Sequence, residues 1–176
     1  MIIFLDRDGT INEYGKGYIT DPMKIKLISG VGEAIRIFNE IAEYVIVVTN
    51  QSIVGKGLAN HSKVRELHTR IDEYMIVHNA HIDHYLYCFH DKKDKCTCRK
   101  PKIKMLRQAK LLYNFDPKEC WMIGDNKSDI EFGQNSKMKT ALVETGIGIE
   151  NKELCNPDYV FKDLLDAATQ IREMVK

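Results

Sequence analysis

Asp6 and Asp8 close the apolar run Ile2-Ile3-Phe4-Leu5 and lead into Gly9-Thr10, and they are the residues of this chain best suited to chemistry. Carboxylates at positions i and i+2 of an extended chain point the same way and can face one reaction centre. Two like charges so close repel unless a cation lies between them or one stays protonated. A hard cation such as Mg²⁺ prefers carboxylate and carbonyl oxygens and suits phosphate chemistry. A carboxylate can also attack phosphorus directly, splitting one hard displacement into two through an aspartyl-phosphate. Asp6, first beyond the run, is the candidate nucleophile. Asp8 is the candidate general acid for the leaving oxygen, then the general base for water. The plainer reading of Asp-x-Asp-Gly alone is a strand ending in a solvated turn.

A phosphoryl group is anionic, so a carboxylate reaches it only where cations screen the charge. Mg²⁺ held by Asp6, the Asp8 carbonyl and Asp125 would supply one cation, and Lys100 the other. Thr49 offers a hydroxyl and Asn50 a backbone N–H to the phosphoryl oxygens. Asp129 either supports the ligands from behind or favours the start of a helix.

Such a set must be gathered from distant segments. Short apolar runs at 2–5, 44–48, 83–88, 120–123 and 140–143 read as strands, with 159–160 as a short edge. Helical spacing of apolar residues marks 30–43, 61–79, 102–113, 130–135 and 161–175. Strands alternating with helices predict an α/β fold: a central, mostly parallel sheet covered on both faces. Ligands in such sheets bind beyond the carboxyl ends of the strands, where Asp6/Asp8, Thr49/Asn50 and Asp125/Asp129 all fall. Residues 12–27, with Gly15, Gly17 and Pro22, read as a loop long enough to lie over the site. Tyr18 within it serves either as a substrate contact or as a packing anchor for the loop.

The length of 176 residues predicts one domain spanning 1–176. A net charge of +1 gives no global field for nucleic acid or membrane surfaces, so neither is expected as a partner. No apolar run reaches membrane-spanning length, and Asp6 and Arg7 interrupt any leader-like segment. A cytoplasmic monomer acting on a small molecule is the expectation. In that reducing compartment five cysteines point to metal or packing.

Four of the candidate ligands cluster. Cys88-Phe89-His90 and Cys96-Thr97-Cys98 form Cys-x-His-x5-Cys-x-Cys within a small polar loop, residues 88–101. Three thiolates and one imidazole complete a tetrahedral shell for Zn²⁺, with no open position for catalysis, so a structural role is expected. A loop this polar buries too little apolar area to hold its shape alone. The clip would also fix Arg99 and Lys100, which follow the last ligand directly. His61, His68, His78, His81 and His84 lack ligand spacing and read as solvated or packed.

Taken together, Asp6-Arg7-Asp8-Gly9-Thr10, Thr49-Asn50-Gln51-Ser52, Lys100, and Gly124-Asp125 with Asp129 resemble the four motifs of the haloacid dehalogenase superfamily. The resemblance implies a Rossmann-like three-layer fold; no inserted cap domain is expected. The zinc-type loop running into Cys98-Arg99-Lys100-Pro101 is similar to that of the heptose bisphosphate phosphatases of this superfamily. That branch removes the 7-phosphate of D-glycero-D-manno-heptose 1,7-bisphosphate in the cytosol during nucleotide-heptose synthesis. Carried over, it makes Asp6 the nucleophile, Asp8 the proton donor and Asp6, Asp8 and Asp125 the Mg²⁺ ligands. Cys88, His90, Cys96 and Cys98 bind zinc, and Thr49 and Lys100 stabilise the phosphoryl group. Gly17, Tyr18, Asn50, Gln51, Ser52 and Arg99 line the substrate site. The chain departs from the branch in having Phe89-His90-Asp91-Lys92 for Pro-His-His-Pro and Ile53-Val54-Gly55-Lys56-Gly57 for Gly-Ile-x-Arg-Gly. Histidinol-phosphate phosphatases share these motifs and are the second enzymatic reading. A non-catalytic phosphosugar-binding protein is the third, and the intact Asp6/Asp8/Lys100/Asp125 set argues against it.

Overall fold

A computed structural model describes residues 1–14 and 17–175; Gly15 and Lys16 of the long first loop lie outside them. The N-terminal apolar run forms β1 (Ile2–Leu5), buried throughout. α1 (Val31–Ile41) follows, turning Val31, Ala34, Ile35 and Phe38 inward. Next come β2 (Tyr44–Asn50), α2 (Ser52–Gly55), α3 (His61–Val77) and β3 (His84–Cys88). The second half holds α4 (Lys104–Leu112), β4 (Trp121–Gly124), α5 (Lys127–Asn135) and β5 (Lys139–Val143). It closes with α6 (Gly148–Asn151), β6 (Tyr159–Phe161) and α7 (Leu164–Val175).

The strands form one sheet in the order β3-β2-β1-β4-β5-β6, and every adjacent pair is parallel. Side chains alternate across it, as a two-residue period requires. Ile3, Leu5, Val45, Val47, Trp121 and Ile123 pack with α1, α3 and α7. Ile2, Phe4, Ile46, Val48 and Met122 pack with α4 and α5. Burying both faces explains why the strands read as unbroken apolar runs. The result is the three-layer Rossmann-like α/β fold that the resemblance implied.

From β1 the chain winds outward through β2 and β3, then crosses back to place β4 on the other side of β1. That reversal opens a crevice between the loops beyond β1 and β4. Asp6 follows β1 and Asp125 follows β4, so both stand at its floor. The described residues of 6–30 and 89–103 hold the 3-10 turns Pro22–Lys24 and Lys92–Asp94 and no inserted cap domain.

Three local features differ from expectation. α2 and α6 are single turns, too short to leave a 3.6-residue pattern in sequence. α5 begins at Lys127 rather than near residue 130, because a capping box sets its start. There Ser128 N–H donates to the Asn126 side chain and Asn126 N–H donates to Asp129 Oδ2, each at 3.0 Å. Among the described residues, no helix is long and apolar enough to cross a membrane.

Candidate active site and metal cluster

Lys100 stands at the centre. Its Nζ lies 2.7 Å from Asp6 Oδ1 and 2.7 Å from Asp129 Oδ1, and donates to the Val48 carbonyl. Asn50 fixes the Lys100 backbone from both sides: its Oδ1 accepts from Lys100 N–H at 3.0 Å and its Nδ2 donates to Lys100 O at 3.4 Å. Asp6 and Lys100 are thus joined across 94 residues of sequence.

Asp125 lies beneath them, wholly enclosed. Ile147 N–H donates to its Oδ2 at 3.0 Å, and its Oδ1 is buried with no hydrogen-bond partner in the protein. Two glycines make room for this carboxylate. A Cβ on Gly9, whose φ is +87°, would lie 2.2 Å from Asp125 Oδ2, and one on Gly146 equally close. Thr145 Oγ1 donates to Gly9 O at 2.6 Å and holds the two turns together. One carboxylate oxygen each from Asp6, Asp125 and Asp129 falls within 4.8 Å of the others. Burial, Asp6 and Asp129 push the Asp125 carboxyl up to about 8. Burial and Asp6 push Asp129 to about 7, even against Lys100. Three buried carboxylates against one ammonium leave excess negative charge, and an all-oxygen donor set with an orphaned oxygen fits a hard divalent cation.

Asp8 sits differently. Arg7 Nη2 donates to both its oxygens at 2.8 and 2.9 Å, Asn12 Nδ2 to Oδ1 at 2.9 Å and Gln51 Nε2 to Oδ2 at 2.8 Å. Burial raises this carboxyl, yet the Arg7 charge and the hydrogen bonds from Asn12, Arg7 and Gln51 outweigh it and hold it below the usual range. The Asp8 carboxylate is turned to these partners, and the cluster of Asp6, Asp125 and Asp129 does not include it.

These groups line a cavity of about 190 Å³ at the crevice. Asp6, Asp8, Thr49, Lys100 and Asp129 face it, together with Gly17, Tyr18, Asn50, Gln51, Ser52 and Arg99. Every residue expected to act on substrate is therefore present, and Asp125 lies just below. Asp129 caps α5 and also lies in the carboxylate cluster. Gln51 does more than line the wall, since its amide bridges Asp8 and, at 2.9 Å, Thr49 Oγ1. Arg99 Nη1 donates to Ser52 Oγ at 2.7 Å, tying the metal loop to the start of α2. Tyr18 carries the Lys56 ammonium over its ring, 5.7 Å from the centroid.

Some contributors escape a reading of the sequence. Arg7 and Asn12 position Asp8, and Thr145, Gly146 and Ile147 cradle Asp125. Tyr14 leans over the cluster, so that burial and Asp125 raise its hydroxyl pKa. The Asn12 signal lay four residues beyond Asp8, but nothing in sequence marks 145–147 as neighbours of Asp125.

The second cluster lies beside the first. Cys88 Sγ is 3.6 Å from Cys96 Sγ and 3.1 Å from Cys98 Sγ, and Cys96 and Cys98 are 3.7 Å apart. His90 Nδ1 is 3.7 Å from Cys88 Sγ and 3.2 Å from Cys98 Sγ. Tetrahedral zinc with Zn–S bonds of about 2.3 Å needs sulfurs roughly 3.8 Å apart. The four atoms are close to that shell. Burial raises the Cys96 thiol, but the N–H groups of Arg99 and Cys98 outweigh it and bring it below the usual thiol value.

Comparison with known proteins agrees with this geometry. A family model described as HAD-hydrolase-like matches residues 97–167. The D-glycero-beta-D-manno-heptose-1,7-bisphosphate 7-phosphatase of Haemophilus influenzae is 32% identical, covering 99% of this chain and 98% of its own. The enzyme of that name from Pasteurella multocida is 33% identical, covering 97% and 96%. Among solved structures, D,D-heptose 1,7-bisphosphate phosphatase from B. bronchiseptica, complexed with magnesium and phosphate, superposes with a TM-score of 0.93 at 26% identity. That match covers 98% of each chain.

Proposed function

The chain belongs to the D-glycero-D-manno-heptose 1,7-bisphosphate 7-phosphatase family of haloacid-dehalogenase-like hydrolases, and from that membership we propose how its own residues hydrolyse the 7-phosphate. The observation that carries the reading is the meeting of Asp6, Lys100, Asp125 and Asp129 in one crevice.

Lys100 holds Asp6 Oδ1 and leaves the other oxygen to meet phosphorus. The Asp6 O–P bond forms as the bond from phosphorus to the sugar oxygen breaks. Asp8 gives a proton to that departing oxygen. In the free protein Asp8 is ionised, so the proton arrives with the substrate, whose phosphate loses its second proton near pH 6 by analogy with other phosphate monoesters. The incoming negative charge also raises the Asp8 carboxyl. Asp8 then takes a proton from water, which attacks phosphorus and frees Asp6 and inorganic phosphate. Thr49 donates to a phosphoryl oxygen, and the Lys100 ammonium offsets the charge that shifts onto the phosphoryl group. Mg²⁺ held by Asp6, the Asp8 carbonyl and Asp125, with Asp129 behind, would neutralise charge on the phosphoryl group.

Cys88, His90, Cys96 and Cys98 would hold a structural Zn²⁺, and that clip would set Arg99 and Lys100 in place. Arg99, Ser52, Gly17 and Tyr18 receive the sugar and its second phosphate. None of the five cysteines is joined in a disulfide, which leaves Cys88, Cys96 and Cys98 available as ligands. Heptose bisphosphate is preferred over histidinol phosphate because the relatives named above carry that substrate in their names.

The test compares kcat/KM for both anomers of the heptose bisphosphate, histidinol phosphate and an aryl phosphate, each with the native protein and Asp6→Asn. A heptose bisphosphate should lead, and Asp6→Asn should abolish turnover while the protein stays folded. A lead for histidinol phosphate would reject the substrate, and substantial turnover by Asp6→Asn would reject the nucleophile.

A further inference from the structure

The long first loop is tied down at its base by the backbone. Asn12 bridges to Leu27, and Glu13 N–H donates to Lys26 O at 2.8 Å. Among the described residues, no backbone hydrogen bond joins 17–20 to another segment. Yet Gly17, Tyr18 and Ile19 of this tip line the cavity. Side chains must therefore hold it. Ile19 packs against the small apolar cluster of Ile53, Val64 and Leu67. Tyr18 is 55% exposed, and what meets its ring is a charge: the Lys56 ammonium stands over it, 5.7 Å from the centroid.

Lys56 is held in turn. It lies one residue past α2, and α2 is seated on the Cys/His loop. Gly55 N–H donates to Phe89 O at 2.8 Å. A Cβ on Gly55 would lie 2.6 Å from Asp91 N, so the missing side chain is what permits the approach. That approach brings Lys56 Nζ to 3.2 Å from Asp91 Oδ1. The Asp91 side chain is only 13% exposed, and its Oδ1 also accepts from Lys92 N–H at 2.7 Å, which fixes it. The ammonium thus stands where it meets both a carboxylate and the negative face of a ring. Three segments distant in sequence join there: the first loop, the turn after α2 and the Cys/His loop. Lys56 is not among the described residues lining the cavity, so it reaches substrate through Tyr18.

We propose that Lys56 is a positioning residue for substrate specificity: held by Asp91, its ammonium fixes the Tyr18 ring as the wall against which the sugar rests. The role rests on the reading above that Tyr18 receives the sugar. It concerns binding of the sugar and not transfer of the phosphoryl group, since Asp6, Asp8 and Lys100 are gripped by other partners.

The experiment measures kcat and KM separately on the heptose bisphosphate and on acetyl phosphate, whose small acyl leaving group carries no sugar. The proteins are native, Lys56→Met, Lys56→Arg, Tyr18→Ala and the double variant of Lys56→Met with Tyr18→Ala. Exposed ion pairs and cation–π contacts are individually weak, so Lys56→Met should raise KM for the bisphosphate about fivefold with kcat unchanged. On acetyl phosphate both constants should stay within about twofold, which also shows that the variant is folded. Lys56→Arg keeps a cation over the ring and should recover most of the loss. Tyr18→Ala should raise KM for the bisphosphate, and adding Lys56→Met to it should change KM by less than about twofold, because the two residues act as one unit. Full additivity would mean that Lys56 acts without Tyr18 and would overturn the proposal. So would equal losses on both substrates, an unchanged KM in Lys56→Met, or no recovery in Lys56→Arg. If Tyr18→Ala leaves KM for the bisphosphate unchanged, the placing of the sugar against Tyr18 falls and this role with it. If Tyr18→Ala raises KM and Lys56→Met does not, only the role of Lys56 falls.

Discussion

Replacing Lys100 by Met keeps the length of the side chain and removes its charge. The Lys100 Nζ has contacts of 2.7 Å to Asp6 and to Asp129, and the residue is only 4% exposed. Breaking a buried pair by deleting one partner costs about 3–5 kcal/mol, because the other charge is left uncompensated. Here the loss has a definite pH dependence. Without the ammonium, the carboxyls of the cluster rise further, since burial and mutual repulsion act unopposed. A carboxyl raised in the folded state favours folding below its unfolded value and loses that contribution as pH climbs through the folded one. The gap between native and variant proteins should therefore widen from pH 5.5 to pH 8.5. Native Asp129 and Asp125 near about 7 and about 8 place the steep part of the change in that window. Urea unfolding in EDTA at three pH values measures it. At pH 8 the expected loss corresponds to roughly a 10 °C fall in Tm for a chain of this size. Turnover with Mg²⁺ should fall at least about 10²-fold, as it does when a charged or hydrogen-bonding stabiliser of the transition state is removed. A stability gap that is the same at all three pH values would refute the idea that Lys100 exists to compensate these carboxylates.

Gly9→Ala should displace Asp125, because the added Cβ would meet Oδ2 at 2.2 Å in a φ of +87°. The left-handed backbone alone costs about 1–2 kcal/mol, and the Mg²⁺ concentration for half-maximal activity should rise at least roughly tenfold; an unchanged Mg²⁺ dependence would contradict this. In the native protein without Mg²⁺, stability from Asp125 and Asp129 is complete below about pH 4 and drains as pH rises toward about 8. Saturating Mg²⁺ keeps the carboxylates ionised and should flatten that slope in urea unfolding; identical slopes with and without the ion would argue that it binds elsewhere. Cys96→Ser should lower zinc per chain and slow turnover, since the loop that carries Lys100 loses its clip. Elemental analysis giving native zinc content would remove Cys96 from the ligand set.

Much of this protein could be read from the chain before folding was considered. Strands buried on both faces must be apolar at every position, so β1, β2, β4 and β5 stand out as runs. Polar residues must then appear where each strand leaves the core, which is why Asp6, Thr49 and Asp125 were visible. The Cys/His loop was legible because its four candidate ligands lie within eleven consecutive residues, 88–98. Short-range chemistry is written in short-range spacing.

Other properties depend on which distant segments become neighbours. Strand order decided that the loops after β1 and β4 share a crevice, and no local pattern encodes order. The close approach of Gly9 and Gly146 to Asp125 exists only because segments more than a hundred residues apart fold against one carboxylate. Asp8 is a further case: sequence supplies the carboxyl, but the grip of Arg7, Asn12 and Gln51 decides its charge. Residue type fixes what a group can do, while burial and neighbours fix which protonation state it holds and where it points.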